Sequence, residues 1–140
     1  MSNAARITAI APVPLRTVRL VAVLAILSWF GMIVHDLISL PGLSLLAPDV
    51  VLPTLVSVVL FAAWWARPGR LSFGLLFGWT VLHFAVGGLL SVLPWPFLPF
   101  VPEQTFRHYV AHAVYAACQV PLLVALLRNR RGPSHVIPTR

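Results

Sequence analysis

Four long apolar runs constrain this chain more than any other feature. Leu20–Ile38, Val50–Ala66, Leu71–Leu93 and Val110–Leu127 each come close to or exceed the ~20 residues a helix needs to cross the hydrocarbon of a bilayer. In lipid, every backbone N–H and C=O must be satisfied within the spanning segment. None of the runs shows the period-two alternation of a barrel strand, so helices are expected. Composition agrees, with 59% hydrophobic and 9% charged residues, against about 25% charged in an ordinary soluble domain. The expected architecture is an all-α integral membrane protein, one domain over residues 1–140, with four transmembrane helices at approximately 18–38, 50–66, 71–93 and 108–128 in an antiparallel bundle. Pro53 is expected in the first turn of the second helix, where a missing N–H costs little. Pro121, deeper in the fourth, predicts a kink.

Charge sets the orientation. Arg6, Arg16 and Arg19 precede the first run, Arg67 and Arg70 fill the second turn, and Arg128, Arg130 and Arg131 follow the fourth. Loops 39–49 and 94–107 carry only Arg107 as a cation, against Asp49 and Glu103. The positive-inside bias therefore predicts both termini in the cytoplasm of a bacterial-type plasma membrane. The formal charge of +7 is accounted for by these juxtamembrane anchors on anionic lipid, and without aromatic interleaving no nucleic-acid partner is expected. The first run is long and is followed by Leu-Pro-Gly, not by a small-x-small site, so it is expected to stay as a helix. The outward loop Pro94–Arg107 holds four prolines; Trp95, Phe97 and Phe100 in it are expected at the headgroups.

Against this background the histidines stand out. His35, His83, His108 and His112 fall in or beside the apolar runs, where ionisable side chains are costly and turn inward. His108, His112, Tyr115 and Gln119 follow a four-three-four spacing that puts all four on one helix face. Ser28, Gly31 or Met32, His35 and Ser39 form a similar stripe on the first helix, and Thr80, His83, Gly87 and Ser91 on the third. The second helix offers only Thr54 and Ser57 and is expected to serve as packing support. Helix rise places His35, His108 and His112 near the outer boundary and His83 near the midplane.

Imidazoles one turn apart can direct nitrogens to one centre, so HxxxH at His108 and His112 is a candidate metal pair for copper, zinc or iron, completed by His35 or His83. Asp36 or Glu103 would add an oxygen ligand or orient an imidazole through its second nitrogen. Haem b is the other candidate, with His35 and His112 best matched in depth and Phe30, Phe84, Trp79, Gly87 and Gly88 as its walls. Tyr115 and Gln119 would orient groups or pass protons, and His83 would be a fourth ligand or an inner relay. Asp36 points about 100° away from His35 on a helix and reaches either water or the histidines. Cys118, the single cysteine, excludes an internal disulfide, CxxC redox chemistry and CxxCH haem attachment.

The expected function is an outward-opening histidine site that binds a transition metal or haem for redox or metal handling. Two other classes fit the same topology: an accessory subunit of a larger membrane complex, and a small transporter or a quinone- or lipid-linked membrane enzyme. HExxH, GxSxG and glycine-rich phosphate loops are absent from the sequence. Partners are membrane lipids, a metal, haem or hydrophobic ligand, and further chains or a homo-oligomer. Gly31, Gly78, Gly87, Gly88, Ala111, Ala113, Ala116 and Ala117 permit close helix approach for such assembly.

Overall fold

The computed structural model describes residues 13–40, 42–96 and 101–129. Its elements are α1 (Leu15–Ser39), α2 (Pro48–Ala66), α3 (Arg70–Leu82), which runs on as a π-helical segment (His83–Leu90), and α4 (Phe106–Asn129). There is no strand among the described residues. Four helices are long and apolar enough to cross a membrane, the third being α3 with its π segment, Arg70–Leu90. The described residues are therefore all-helical in their regular structure, and their four apolar helices are consistent with an integral membrane protein. Arg6, Phe97, Phe100, Arg130 and Arg131 lie outside the described residues.

Several helix limits differ from the sequence reading. α1 begins at Leu15, directly after an extended Pro14, so Arg16 and Arg19 lie on its exposed first turns and do not precede it. α2 begins at Pro48, which occupies the first turn, where proline is favoured. Pro53 consequently stands inside α2. The Ser57 hydroxyl donates to the Pro53 carbonyl (2.7 Å) and the Thr54 hydroxyl to the Val50 carbonyl (2.7 Å). α4 continues through Pro121 to Asn129.

The turns follow from local chemistry. α1 stops before Leu40, and Gly42 takes a left-handed φ of +84° that the turn into α2 requires. Between α2 and α3, the Ser72 hydroxyl accepts the Gly69 N–H (3.1 Å) and donates to the Arg67 carbonyl (2.7 Å). Beyond the π segment, the Gln104 side-chain amide donates to the carbonyls of Val92 and Pro102. Arg107 donates to the Ile38 carbonyl at 2.6 Å, a charged cap on the last turn of α1.

Apolar helix faces have no hydrophobic reason to leave lipid for one another, so packing depends on close approach and buried polar contacts. α1 and α4 form the tightest pair. A Cβ on Gly31 would lie 2.4 Å from the Cys118 Cβ, and one on Gly88 would lie 2.9 Å from the Ala116 Cβ. Gly31, Gly88, Ala111 and Ala116 are buried within the chain, whereas Gly78, Ala113 and Ala117 remain exposed. Part of the small-residue set expected to join chains is thus used inside one. A cluster of Val18, Val21, Trp64, Leu76, Leu122 and Leu126 draws on all four helices, and a second of Met32, Ile33, Val50 and Tyr115 lies near the histidines. Outward-facing side chains such as Ile26, Val59 and Leu71 are largely exposed, as a lipid-facing surface requires.

Candidate functional site

The buried face of α4 carries His112, Tyr115 and Gln119, with His108 half-buried one turn before His112. Gln119 is fully enclosed. It accepts the Ser28 hydroxyl (2.5 Å) and donates to the Ser28 carbonyl (3.1 Å), fastening the middle of α4 to α1. The rotation that this fixes sends His35 toward His112.

A hydrogen-bonded chain then runs across three helices. The Asp36 carboxylate meets His35 Nδ1 at 2.9 Å, His35 Nε2 meets His112 Nε2 at 3.0 Å, and His112 Nδ1 meets the Gly87 carbonyl at 2.9 Å. Donor assignment follows from the ends. A carbonyl only accepts, so His112 Nδ1 carries a proton and, in a neutral ring, its Nε2 accepts. His35 Nε2 must then donate, and the contact with Asp36 needs one further proton between its two atoms. The chain is complete when Asp36, His35 and His112 together hold one proton beyond two neutral imidazoles and a carboxylate, whether that proton sits on Asp36, His35 or His112. The His35 and His112 rings meet edge to face, with centroids 4.3 Å apart.

The Gly87 carbonyl is available because of the π segment. In an α-helix it would accept the Ser91 N–H, but that N–H is bonded instead to the Val86 carbonyl, five residues back. Gly87 accepts His112 Nδ1 and the Ser91 hydroxyl (2.9 Å) in its place. Such π turns recur at functional sites. Gly87 also makes room for Tyr115, since a Cβ there would stand 2.8 Å from the Tyr115 ring.

His108 is the exception to this satisfied network. Its ring centroid is 4.5 Å from that of His112 and 6.3 Å from that of His35. Both ring nitrogens are shielded from solvent and have no hydrogen-bond partner, and the Ser39 hydroxyl, one turn beyond His35, is likewise buried and unpaired. Unpaired buried polar atoms are costly and call for a missing partner.

His83 stands apart. Its Nδ1 is bonded to the Tyr115 hydroxyl, and its ring packs on Trp79 at 4.5 Å between centroids. Tyr115 in turn lies against His35 (5.3 Å), so it links the deeper histidine to the cluster. Beside His83 is a cavity of about 30 Å³ whose lining includes Ser28, Met32, Ser57, Thr80 and Gln119, a volume sufficient for water. On its far side α2 contributes acceptors to two indoles, Trp29 N–H to Thr54 and Trp79 N–H to Ser57.

His35, His112 and Asp36 are thus brought together, with His108 beside them, while His83, Tyr115 and Gln119 form a second polar tier. Glu103 remains exposed in the loop leading into α4 and makes no hydrogen bond to an imidazole. Among the described residues, no group of three or more His, Cys, Asp or Glu side chains could hold a metal ion; His35 and His112 meet through their Nε2 atoms, and neither ring nitrogen of His108 has a hydrogen-bond partner. Phe30, expected as a haem wall, is exposed. The sequence reading missed the Gly87 carbonyl, signalled only by the Gly87–Gly88 pair, and the Arg107 cap, for which it held no signal.

The described residues form four helices long and apolar enough to cross a membrane, with a polar interior built on histidine. Comparison of the chain with protein-family models, curated proteins and solved structures gave no match in any of the three.

Proposed function

We propose that this chain is a small integral membrane protein that handles a transition metal ion at His35 and His112, with His108 as the third ligand. Its four helices would run antiparallel, with both termini at the cytoplasmic side of a bacterial-type plasma membrane; the arginines at one set of helix ends support that orientation. The observation that carries the metal reading is the arrangement of ring nitrogens. Both Nδ1 atoms are held from behind, one by the Asp36 carboxylate and one by the Gly87 carbonyl, while both Nε2 atoms face one another beside an unpaired His108. Metal-ligating histidines are oriented in this way by a carboxylate or carbonyl on the second nitrogen. His35 Nε2 and His112 Nε2, 3.0 Å apart, are the two atoms that would hold the ion.

His35 and His112 would hold the ion through their Nε2 atoms once the proton they share is lost, and His108, whose nitrogens have no partner, would be the third donor. The residues' own work is to present the imidazoles in a fixed orientation, exclude water and provide one negative charge. Haem does not fit this arrangement. With His35 and His112 in direct contact there is no slot for a porphyrin between them, and no step is assigned to it.

The test is metal analysis with an absorption spectrum on the full chain in mild detergent after exposure to Cu(I), Zn²⁺ or Fe²⁺. The expected result is one ion per chain for at least one metal, lost in the His35→Ala/His112→Ala variant and retained in Arg128→Ala. Equal retention in both variants, or no binding of any of the three, overturns the reading.

A further inference from the structure

The second polar tier presents a hydrogen-bond donor that the chain itself leaves free. Independently of the metal reading above, we infer that the cavity beside His83 is a hydration site, where a neutral water is bound between His83 Nε2–H and the hydroxyl oxygens that line the cavity.

Three observations lead there. First, Tyr115 sets the tautomer of His83. The Tyr115 hydroxyl is buried, and among the described residues it bonds only to His83 Nδ1. Were it to accept from Nδ1–H, its own proton would be stranded in the interior, which is costly. The hydroxyl therefore donates, Nδ1 accepts, and in the neutral ring the proton sits on Nε2. No described group of the chain bonds that Nε2, and the half-buried ring lines the cavity.

Second, the hydroxyls around the cavity are already engaged as donors. Ser28 donates to Gln119, Ser57 to the Pro53 carbonyl and Thr80 to the Leu76 carbonyl. What they have left is lone-pair capacity, and Ser57 uses part of its own on the Trp79 N–H. A fitting ligand must accept one hydrogen bond and donate others. Water does both, whereas a cation would confront the Nε2 proton, an anion would face hydroxyl oxygens that can only accept, and a ketone or ether has no proton to give them.

Third, the size agrees. The cavity measures about 30 Å³, against the roughly 10–15 Å³ that a water requires. Met32, Leu76 and Leu122 make part of its wall apolar, so the molecule is held by a few polar atoms, as buried waters are. Bound there, it extends the Tyr115–His83 bond from α4 toward the hydroxyls of α1, α2 and α3.

The experiment is solution NMR on the full, isotope-labelled, metal-free chain in detergent micelles. The expected result is a two-bond coupling pattern that shows His83 as the Nε2–H tautomer, with cross-relaxation between water and the carbon-bound Hδ2 and Hε1 protons that flank Nε2. Ala25 also lines the cavity, and the larger side chain of Ala25→Leu should fill it and abolish both water contacts. An Nδ1–H tautomer, no water contact in the unsubstituted chain, or contacts that persist in folded Ala25→Leu overturns the inference. Cross-relaxation from these protons to lipid or detergent chains in place of water overturns it as well. Where Ala25→Leu fails to fold, the tautomer and water contacts of the unsubstituted chain decide the matter. None of these outcomes depends on ion binding at His35 and His112.

Discussion

Replacing Gly31 by alanine tests the helix contact on which the histidine pair depends. The new methyl would sit 2.4 Å from the Cys118 Cβ and 3.0 Å from its Sγ, whereas ordinary contact begins at 3.4 Å, a shortfall of about 1 Å at the backbone-proximal atom. Cβ cannot rotate away, so α1 and α4 must separate or slide. Overpacking of this kind costs about 1–3 kcal/mol, offset by at most ~1 kcal/mol from the better helix propensity of alanine. The expected net loss is about 1–2 kcal/mol, read as a lower midpoint in thermal unfolding of the detergent-solubilised protein. His35 lies one turn beyond Gly31, so its 3.0 Å contact with His112 should open as well and metal retention should fall in parallel. The partner variants make the cause specific. Cys118→Gly removes the clashing Cβ and should restore Gly31→Ala by about 1–2 kcal/mol of coupling in a double-mutant cycle. Cys118→Ala keeps that Cβ and should not. A Gly31→Ala midpoint equal to that of the parent, or equal rescue by both partners, would refute the packing argument.

Two further outcomes follow from the polar tier. Gln119→Leu strands the Ser28 hydroxyl in the interior and should cost about 1–3 kcal/mol; adding Ser28→Ala should recover most of it, and a double variant no better than the single would count against the pairing. Gly87→Ala places a methyl 2.8 Å from the Tyr115 ring and 2.9 Å from its hydroxyl, so it should move Tyr115 off His83. The ¹⁵N shifts of the His83 ring should then change in the same direction as in Tyr115→Phe, and an unaltered His83 spectrum in Gly87→Ala would contradict the observed geometry.

Much of this arrangement was legible in the sequence, though not its connections. The length and apolarity of four runs fix four helices, because lipid leaves few other solutions. The four-three-four spacing of His108, His112, Tyr115 and Gln119 identifies the inward face of α4, since a helix in which all four faced lipid would be penalised. Helix ends were harder to place: Arg16 and Arg19 read as flanking cations, yet charged side chains on an exposed first turn are compatible with helix, and α1 absorbs them. Asp36 illustrates the limit of periodicity. Backbone geometry sets it about 100° from His35, but side-chain torsions bring its carboxylate back to the neighbouring ring. The Gly87 acceptor was invisible for a different reason: a π turn changes the hydrogen-bond partner without changing the hydrophobic pattern. The angle at which α1 faces α4 depends on contacts such as Gly31 with Cys118, residues 87 positions apart that no local rule connects.

The apolar cluster of Val18, Val21, Trp64, Leu76, Leu122 and Leu126 bears on traffic through the bundle. It joins side chains from all four helices beyond the His83 cavity, with no ionisable group among them. That apolar layer closes off the polar interior on the Leu126 side, so on the proposed reading an ion would enter and leave the histidine cluster from the opposite end. On that reading, loading and unloading would be a single-sided exchange at the Arg107 end of α1. In sealed vesicles of uniform orientation, an impermeant chelator should strip the ion from one face only.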